Sequence, residues 1–344
     1  MNYHYQTQPN PNPLSPAFHR APALWHAVET LGNHIIELAA PLLLLLPFSR
    51  NVVAAGGAVQ MAFQAVLISS GNLSFLNWLT MLPALMCFDD GHLRWLFPRA
   101  SLLRAEEAHR LSGAPPASLS ARLQQALRAL CFLCLTTLVV YKSLPVIANM
   151  VSVEQSMNRS FDAWKIVNTY GAFGSITRRR VEVVIEGALE PGADWRQYEF
   201  RCKPGDVDRA PCLISPYHYR LDWQMWFAGF QRLEHNPWIL SLMHRLLTQD
   251  ARAASLMARD PFAGGPPPRH VRAVKYLYEF ASAPADRSAF GAGVAGDEEG
   301  AWWRRRLLHE FVPPISADDE RVLEYLRSSG YLRGEGAAAR AGGL

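Results

Sequence analysis

The sequence predicts a multi-pass α-helical membrane region followed by an α+β, strand-containing luminal domain. Residues 52–70 (VVAAGGAVQMAFQAVLISS) carry no formal charge, and residues 126–148 (ALRALCFLCLTTLVVYKSLPVIA) form a second apolar stretch. At about 1.5 Å per helical residue, each covers most or all of a ~30 Å hydrocarbon layer. Beyond residue 149 the long apolar runs give way to short alternating stretches among charged residues, as in a folded aqueous domain.

Composition narrows the function classes. AVILMFWYC make up 49% of the 344 residues and charged residues 19%, too apolar for a disordered chain. The net charge is +4. The densest basic runs, Arg178 to Arg180 and Arg304 to Arg306, are short and lie beside apolar residues. They read as basic edges of strands or turns, so no nucleic-acid partner is expected.

Residues 1–33 read as an irregular juxtamembrane segment, because Pro9, Pro11, Pro13, Pro16 and Pro22 oppose a long helix. Residues 34–88 are membrane segments. The first stretch, 35–48, is short and contains Glu37 and Pro41, which suits a partial span as well as a full one. In 52–70, Ala54, Ala58 and Ala62 form a small-residue stripe that lets another helix approach. Gly71 and Asn72 interrupt, and 73–88 is apolar again, so the number of spans stays open. Residues 89–125 carry Arg94, Arg99, Arg104, Arg110 and Arg122, with Pro115 and Pro116 marking a linker. Their charge assigns this loop to the cytosolic side. The transmembrane helix 126–148 then delivers 149–333 to the lumen, with a disordered tail at 334–344.

Within 149–333, residues 181–186 (VEVVIE) alternate like a half-buried strand. Residues 198–202, 212–219 and 274–280 are further strand candidates. Residues 220–233, 237–250 and 318–328 have helical spacing, the second with Pro237 at its start. Residues 285–300 read as loop.

Cys202 and Cys212 flank a Pro/Gly/Asp loop between predicted strands. In an oxidising lumen they close a disulfide; in a reducing compartment they remain buried thiols. Cys131 and Cys134 have CxxC spacing inside an apolar run, which reads as two small thiols rather than a redox or zinc site. Asn158 begins an Asn-Arg-Ser glycosylation sequon. Asn72 begins another, discounted because it lies in the apolar region. Gly291, Gly293 and Gly296 fit GxGxxG, but no strand precedes them and three acidic residues follow, so a loop is expected.

Ser215, His218 and Asp222 are close enough in sequence to raise a membrane-bound hydrolase or acyltransferase. No nucleophile elbow surrounds Ser215, and Asp222 reads as a first-turn helix residue. The segment 217–230 is aromatic. Trp223, Phe227 and Phe230 share a helical face expected to be core, and Trp226 lies on another face available to a partner.

At these residues a resemblance emerges. The stretches NTYGAFGSITRRR (168–180), YEFRCKPGDVDRAPCLISPYHYRLDWQMWFAGF (198–230), DPFAGGPPPRHVR (260–272), ETLGNHIIELAAPLLLLL (29–46) and SGNLSFLNWLT (70–80) closely resemble the lipase maturation factor family, in the same order along the chain. The resemblance implies a multi-pass endoplasmic reticulum protein that helps secreted dimeric lipases, lipoprotein lipase and hepatic lipase among them, reach an active fold. It implies no catalytic residues and no cofactor, with membrane lipid and other folding factors as further partners. The client-contact candidates are then Tyr217, Tyr219, Arg220, Asp222, Trp223 and Trp226. Family members carry further membrane segments upstream of the stretch matching residues 3–9, so a partial chain is expected.

Overall fold

The computed structural model describes residues 1–45, 49–112, 118–171, 177–190, 192, 194–281 and 300–332. The chain divides into two compact units. One comprises Met1–Phe88 with Thr177–Leu344, the other Asp89–Ile176.

In the first unit the early segment is more helical than its prolines suggest. Helices form at His4–Thr7, Ser15–His19 and Ala23–His34, the last continuing through a π-helical turn, Ile35–Ala39, into Ala40–Leu45. The physical reason is position. Pro16 and Pro22 stand at helix starts, where proline's missing N–H is harmless, and no proline falls between residues 23 and 34. The helix Arg50–Ser70 follows, with Ser49 accepting from the Asn51 N–H at its start. It packs against Ala40–Leu45 and Leu76–Leu85. The contact face is not the alanine stripe: Ala54, Gly56, Gly57 and Gln64 are buried, whereas Ala58 and Ala62 are exposed. A Cβ on Gly57 would stand 2.5 Å from Cys87 Cβ and 2.9 Å from the Ala84 carbonyl, so glycine sets this approach. Asn77 donates to Gln64 Oε1 at 2.7 Å across the same interface.

The remainder of this unit is built on an antiparallel sheet ordered β2-β1-β3-β4, with β1 Arg180–Ala188, β2 Arg196–Gln197, β3 His270–Phe280 and β4 Trp303–Ile315. One face packs under helices Arg220–Phe230 and Trp238–Leu247. Val183, Ile185, Val271, Ala273 and Val312 from the sheet meet Met225, Ala228, Ile239, Leu242, Met243 and Leu246 there. Gly229 lies against β1, where a Cβ would be 2.1 Å from the Val181 carbonyl oxygen. Helix Glu320–Ser328 is capped by Asp319, which accepts from the Arg321 and Val322 N–H groups.

Several expectations change here. The strand at 181–186 forms, but it is not half-buried: Glu182 is 0% and Glu186 4% exposed, because a second layer covers the alternate face. Residues 212–219 form no strand. Their backbone is engaged by Asn72, and Pro211 and Pro216 cannot donate to a ladder. In 198–202 only Glu199–Phe200 pairs, with Met257–Arg259. Strand β4 escapes the alternation test because much of its middle is exposed. It is an edge strand, and its Pro313 and Pro314 suit that position. The loop expected at 285–300 lies outside the described residues apart from Gly300. The GxGxxG stretch and the 334–344 tail lie wholly outside them.

In the second unit the Arg-bearing segment carries helix Arg99–Ser112, while Pro115 and Pro116 lie outside the described residues. Helix Leu119–Met150 is capped by Ser118 and runs 32 residues, longer than the apolar 126–148. Residues Arg159–Ser160 and Asn168–Thr169 pair as a short antiparallel ladder.

The buried charges on the covered face of the sheet give the first test. Arg180 and Glu182 are 1% and 0% exposed. Removing one member of a buried charged set leaves the other uncompensated, so Arg180→Ala should destabilise the first unit by about 3–5 kcal/mol. Arg180→Lys should recover little, because an ammonium lacks the planar fork. Thermal unfolding and protease sensitivity of residues 1–20 are the readouts.

Candidate functional site

The sequence places Arg180, Glu182, Val184 and Glu186 on one side of β1, and Arg272, Tyr276 and Tyr278 face them in register from β3. Arg180 Nη1 donates to the carbonyls of Gln6 at 2.8 Å and Gln8 at 2.5 Å, and Nη2 to that of Pro9 at 2.8 Å. Nη2 also pairs with Glu182 at 2.6 Å, and Lys203 Nζ meets the other oxygen of Glu182 at 2.9 Å. Trp303 lies beneath the guanidinium, 5.6 Å from Cζ to ring centroid. Burial pulls Arg180 below its ordinary range, while Glu182 and Tyr278 oppose the shift. Tyr278 donates to the Gly205 carbonyl at 2.6 Å, and burial raises its phenol. Two further bonds bind the early segment down: Trp226 Nε1 to the Thr7 carbonyl at 2.9 Å, and the Phe280 N–H to Gln6 Oε1 at 3.2 Å.

The same early segment caps the end of helix Arg50–Ser70. Asn12 Nδ2 donates to the Ser69 carbonyl at 2.9 Å. Ser15 Oγ and Gln8 Nε2 donate to that of Ser70 at 2.7 and 3.1 Å. Helix C-termini leave carbonyls without intrahelical partners, and here side chains supply them. Asn72 completes the joint. It is fully buried, donates to the Cys212 carbonyl at 2.7 Å, and accepts from the N–H groups of Ile214 and Ser215 at 3.1 and 3.3 Å. This engagement gives the 72–74 sequon a structural role.

Cys202 and Cys212 are joined by a disulfide with a Cα separation of 5.6 Å. Behind it, Asp222 Oδ2 accepts from the N–H groups of Cys202 and Lys203 at 2.6 and 2.9 Å. Burial lifts the Asp222 carboxyl above its ordinary range, against the pull of those two N–H groups.

The candidate contact residues separate into two groups. Asp222 and Trp226 are buried, and each is committed to a backbone partner. Tyr217 is 62% exposed, Arg220 is exposed, and Tyr219 and Trp223 are half-buried. The expected faces of helix Arg220–Phe230 are therefore exchanged. Trp226 turns inward, while Arg220, Trp223, Phe227 and Phe230, spaced by three or four residues, form its outer stripe. Two aromatic faces compete on this helix. Ala228 and Gly229, the small residues that let it approach β1, are the signal that decides between them.

The hydrolase arrangement does not assemble. Ser215 Oγ accepts from Trp78 Nε1 at 3.0 Å, and the His218 ring lies among Phe75, Tyr217 and Trp223. Among the described residues no hydrogen bond links Ser215 to His218 or His218 to Asp222. Cys131 and Cys134 are exposed on helix Leu119–Met150, and no cluster of potential metal ligands occurs among the described residues. Asn158 is exposed, and its amide bonds Gly171 through both ends at 3.1 Å.

Comparison with known proteins covers most of the chain. A family model described as the lipase maturation factor transmembrane domain matches residues 1–95, and one described as the lipase maturation factor C-terminal domain matches 166–313. Lipase maturation factor 1 of Homo sapiens is 48% identical over 340 residues, covering 96% of this chain and 57% of the human protein. The Bos taurus protein of that name is 48% identical over 332 residues, covering 93% and 56%. Lipase maturation factor 2 of Homo sapiens is 26% identical over 430 residues, covering 96% and 57%. The chain thus spans little more than half the length of these relatives. No solved structure matches it.

The Asp222 geometry makes a signed pH prediction. Asp222→Ala strands two buried N–H groups and should cost roughly 2–4 kcal/mol, whereas Asp222→Asn keeps an acceptor and should cost about 1 kcal/mol. A carboxyl lifted in the folded state holds its proton to higher pH than in the unfolded chain. Its contribution is complete below the ordinary carboxylate range and lost as pH rises through the lifted value. Denaturant midpoints measured across that window should fall with rising pH by less in Asp222→Asn than in the wild type.

Proposed function

Because the chain belongs to the lipase maturation factor family, we propose that it acts as a membrane folding factor of the endoplasmic reticulum that brings secreted dimeric lipases to their active form. The observation that carries this is the family match over both the membrane region and the C-terminal region, at 48% identity to a protein named for lipase maturation. The C-terminal region is luminal in this reading. The Cys202–Cys212 disulfide supports an oxidising compartment, and the arginines of 89–125 support a cytosolic loop before the helix Leu119–Met150. Luminal placement also offers Asn158 to glycosylation, at the expense of its clasp with Gly171.

The client contact is the outer stripe of helix Arg220–Phe230. Phe227 is 37% and Phe230 46% exposed, and Arg220 with half-buried Tyr219 borders them. Exposed aromatics with an arginine at their edge suit the apolar surface that an unassembled dimeric enzyme presents. Asp222 and Trp226 support the stripe from behind. The protein is a folding factor and not an enzyme in this reading: client folding drives release, and Ser215 and His218 take no chemical step.

The experiment places residues 29–344 in the matching region of a complete family member, in cells lacking that factor. Phe227→Ala with Phe230→Ala should lower secreted lipoprotein lipase activity per unit lipase mass several-fold, with the factor itself at normal abundance. Ser215→Ala and His218→Ala should leave it near wild type; loss of activity in either, at normal abundance, would favour the hydrolase reading. Cys202→Ser removes a loop closure worth about 3 kcal/mol and should lower both abundance and activity.

A further inference from the structure

We infer that the loop 213–217 is seated in the headgroup layer of the bilayer, forming a membrane-interface belt with Phe75 and Trp78. Helix Arg50–Ser70 has 21 residues and so extends about 30 Å, the thickness of the hydrocarbon layer. If it spans, its Ser70 end lies at a membrane boundary. The chain turns back there through Gly71 and Asn72 into helix Leu76–Leu85, whose Leu76, Leu79, Leu82 and Leu85 are all exposed and need an apolar surround.

Loop 213–217 is fixed to that turning point. Asn72 holds the backbone of Cys212, Ile214 and Ser215, and Trp78 Nε1 bonds Ser215 Oγ at 3.0 Å. Trp78 is the third residue of the returning helix, so the bond reaches about one turn's depth or less below its start. The loop therefore overlaps the membrane helix in depth. Its outward side chains suit that level: Leu213 is 70% and Tyr217 62% exposed, beside Phe75 at 49% and Trp78 at 45%. Amphipathic aromatics with an apolar body and a polar tip concentrate at this layer. An exposed leucine and three exposed rings would be an unsuitable surface for water, yet they are continuous with the helices that lipid must cover. The partner is phospholipid, and the inference stands apart from the client reading: it uses none of the outer stripe of helix Arg220–Phe230.

The test uses the wild-type chain reconstituted in phosphatidylcholine vesicles without any lipase, read by hydroxyl-radical footprinting with mass spectrometry. Tyr325, 40% exposed on helix Glu320–Ser328, is the reference. By exposure alone Tyr217 should oxidise faster than Tyr325. In the bilayer-seated state Tyr217 should oxidise several-fold more slowly than Tyr325, since only lipid is present to cover it. A Tyr217 oxidised as fast as Tyr325 or faster overturns the inference and returns the loop to the surfaces open to a protein partner. A second measurement needs no tyrosine chemistry. A nitroxide on Leu213→Cys, with Cys87, Cys131 and Cys134 each changed to Ser, should show a higher ratio of oxygen to aqueous nickel-chelate accessibility than one on Glu324→Cys, an exposed position of helix Glu320–Ser328. An equal or lower ratio would also overturn it.

Discussion

A guanidinium removed from water needs acceptors for its N–H groups, and the two Nη atoms of Arg180 find them on two segments at once. Three are backbone carbonyls of residues 6, 8 and 9, more than 170 positions earlier in the chain; another acceptor is Glu182 on its own strand. Glu182 is in turn shared with Lys203, in the loop that begins at the disulfide. None of these charges is tolerable in the interior without the others. The early segment, the covered face of the sheet and the loop 202–206 are consequently one cooperative assembly.

That assembly carries a mechanical consequence. Gln8 lies in both networks, offering its carbonyl to Arg180 and its side-chain amide to the last carbonyl of helix Arg50–Ser70. Helix Arg50–Ser70, in the region matched by the transmembrane family model, and the sheet thereby share a set of hydrogen bonds and not merely a linker. Asn72 adds a second attachment, gripping the backbone beyond Cys212. The stripe of helix Arg220–Phe230 is held the same way from behind, by Asp222 on the Cys202 and Lys203 N–H groups and by Trp226 on Thr7. A surface held this rigidly loses less freedom on any contact it makes.

Local patterning determined much of this protein. Apolar length marks the helices Arg50–Ser70 and Leu119–Met150, because a bilayer core demands that length and tolerates charge only towards its edges. Alternation marks β1 and β3, three-to-four spacing marks the helices at 220, 238 and 320, and loop chemistry marks the neighbourhood of Cys202 and Cys212. The order of several long blocks identifies the family. Tertiary structure alone decided which surface of each element faces what. VEVVIE reads as half-buried, but whether its glutamates meet water depends on a segment far away in sequence. The helix Arg220–Phe230 offers two aromatic faces, and the close approach of Gly229 to β1 selects the inner one. Residues 212–219 look like a strand until Asn72 claims their backbone. Periodicity shows that an element has two sides; only long-range packing, which brings unrelated segments into hydrogen-bonding distance, determines which side is buried and what remains to be recognised.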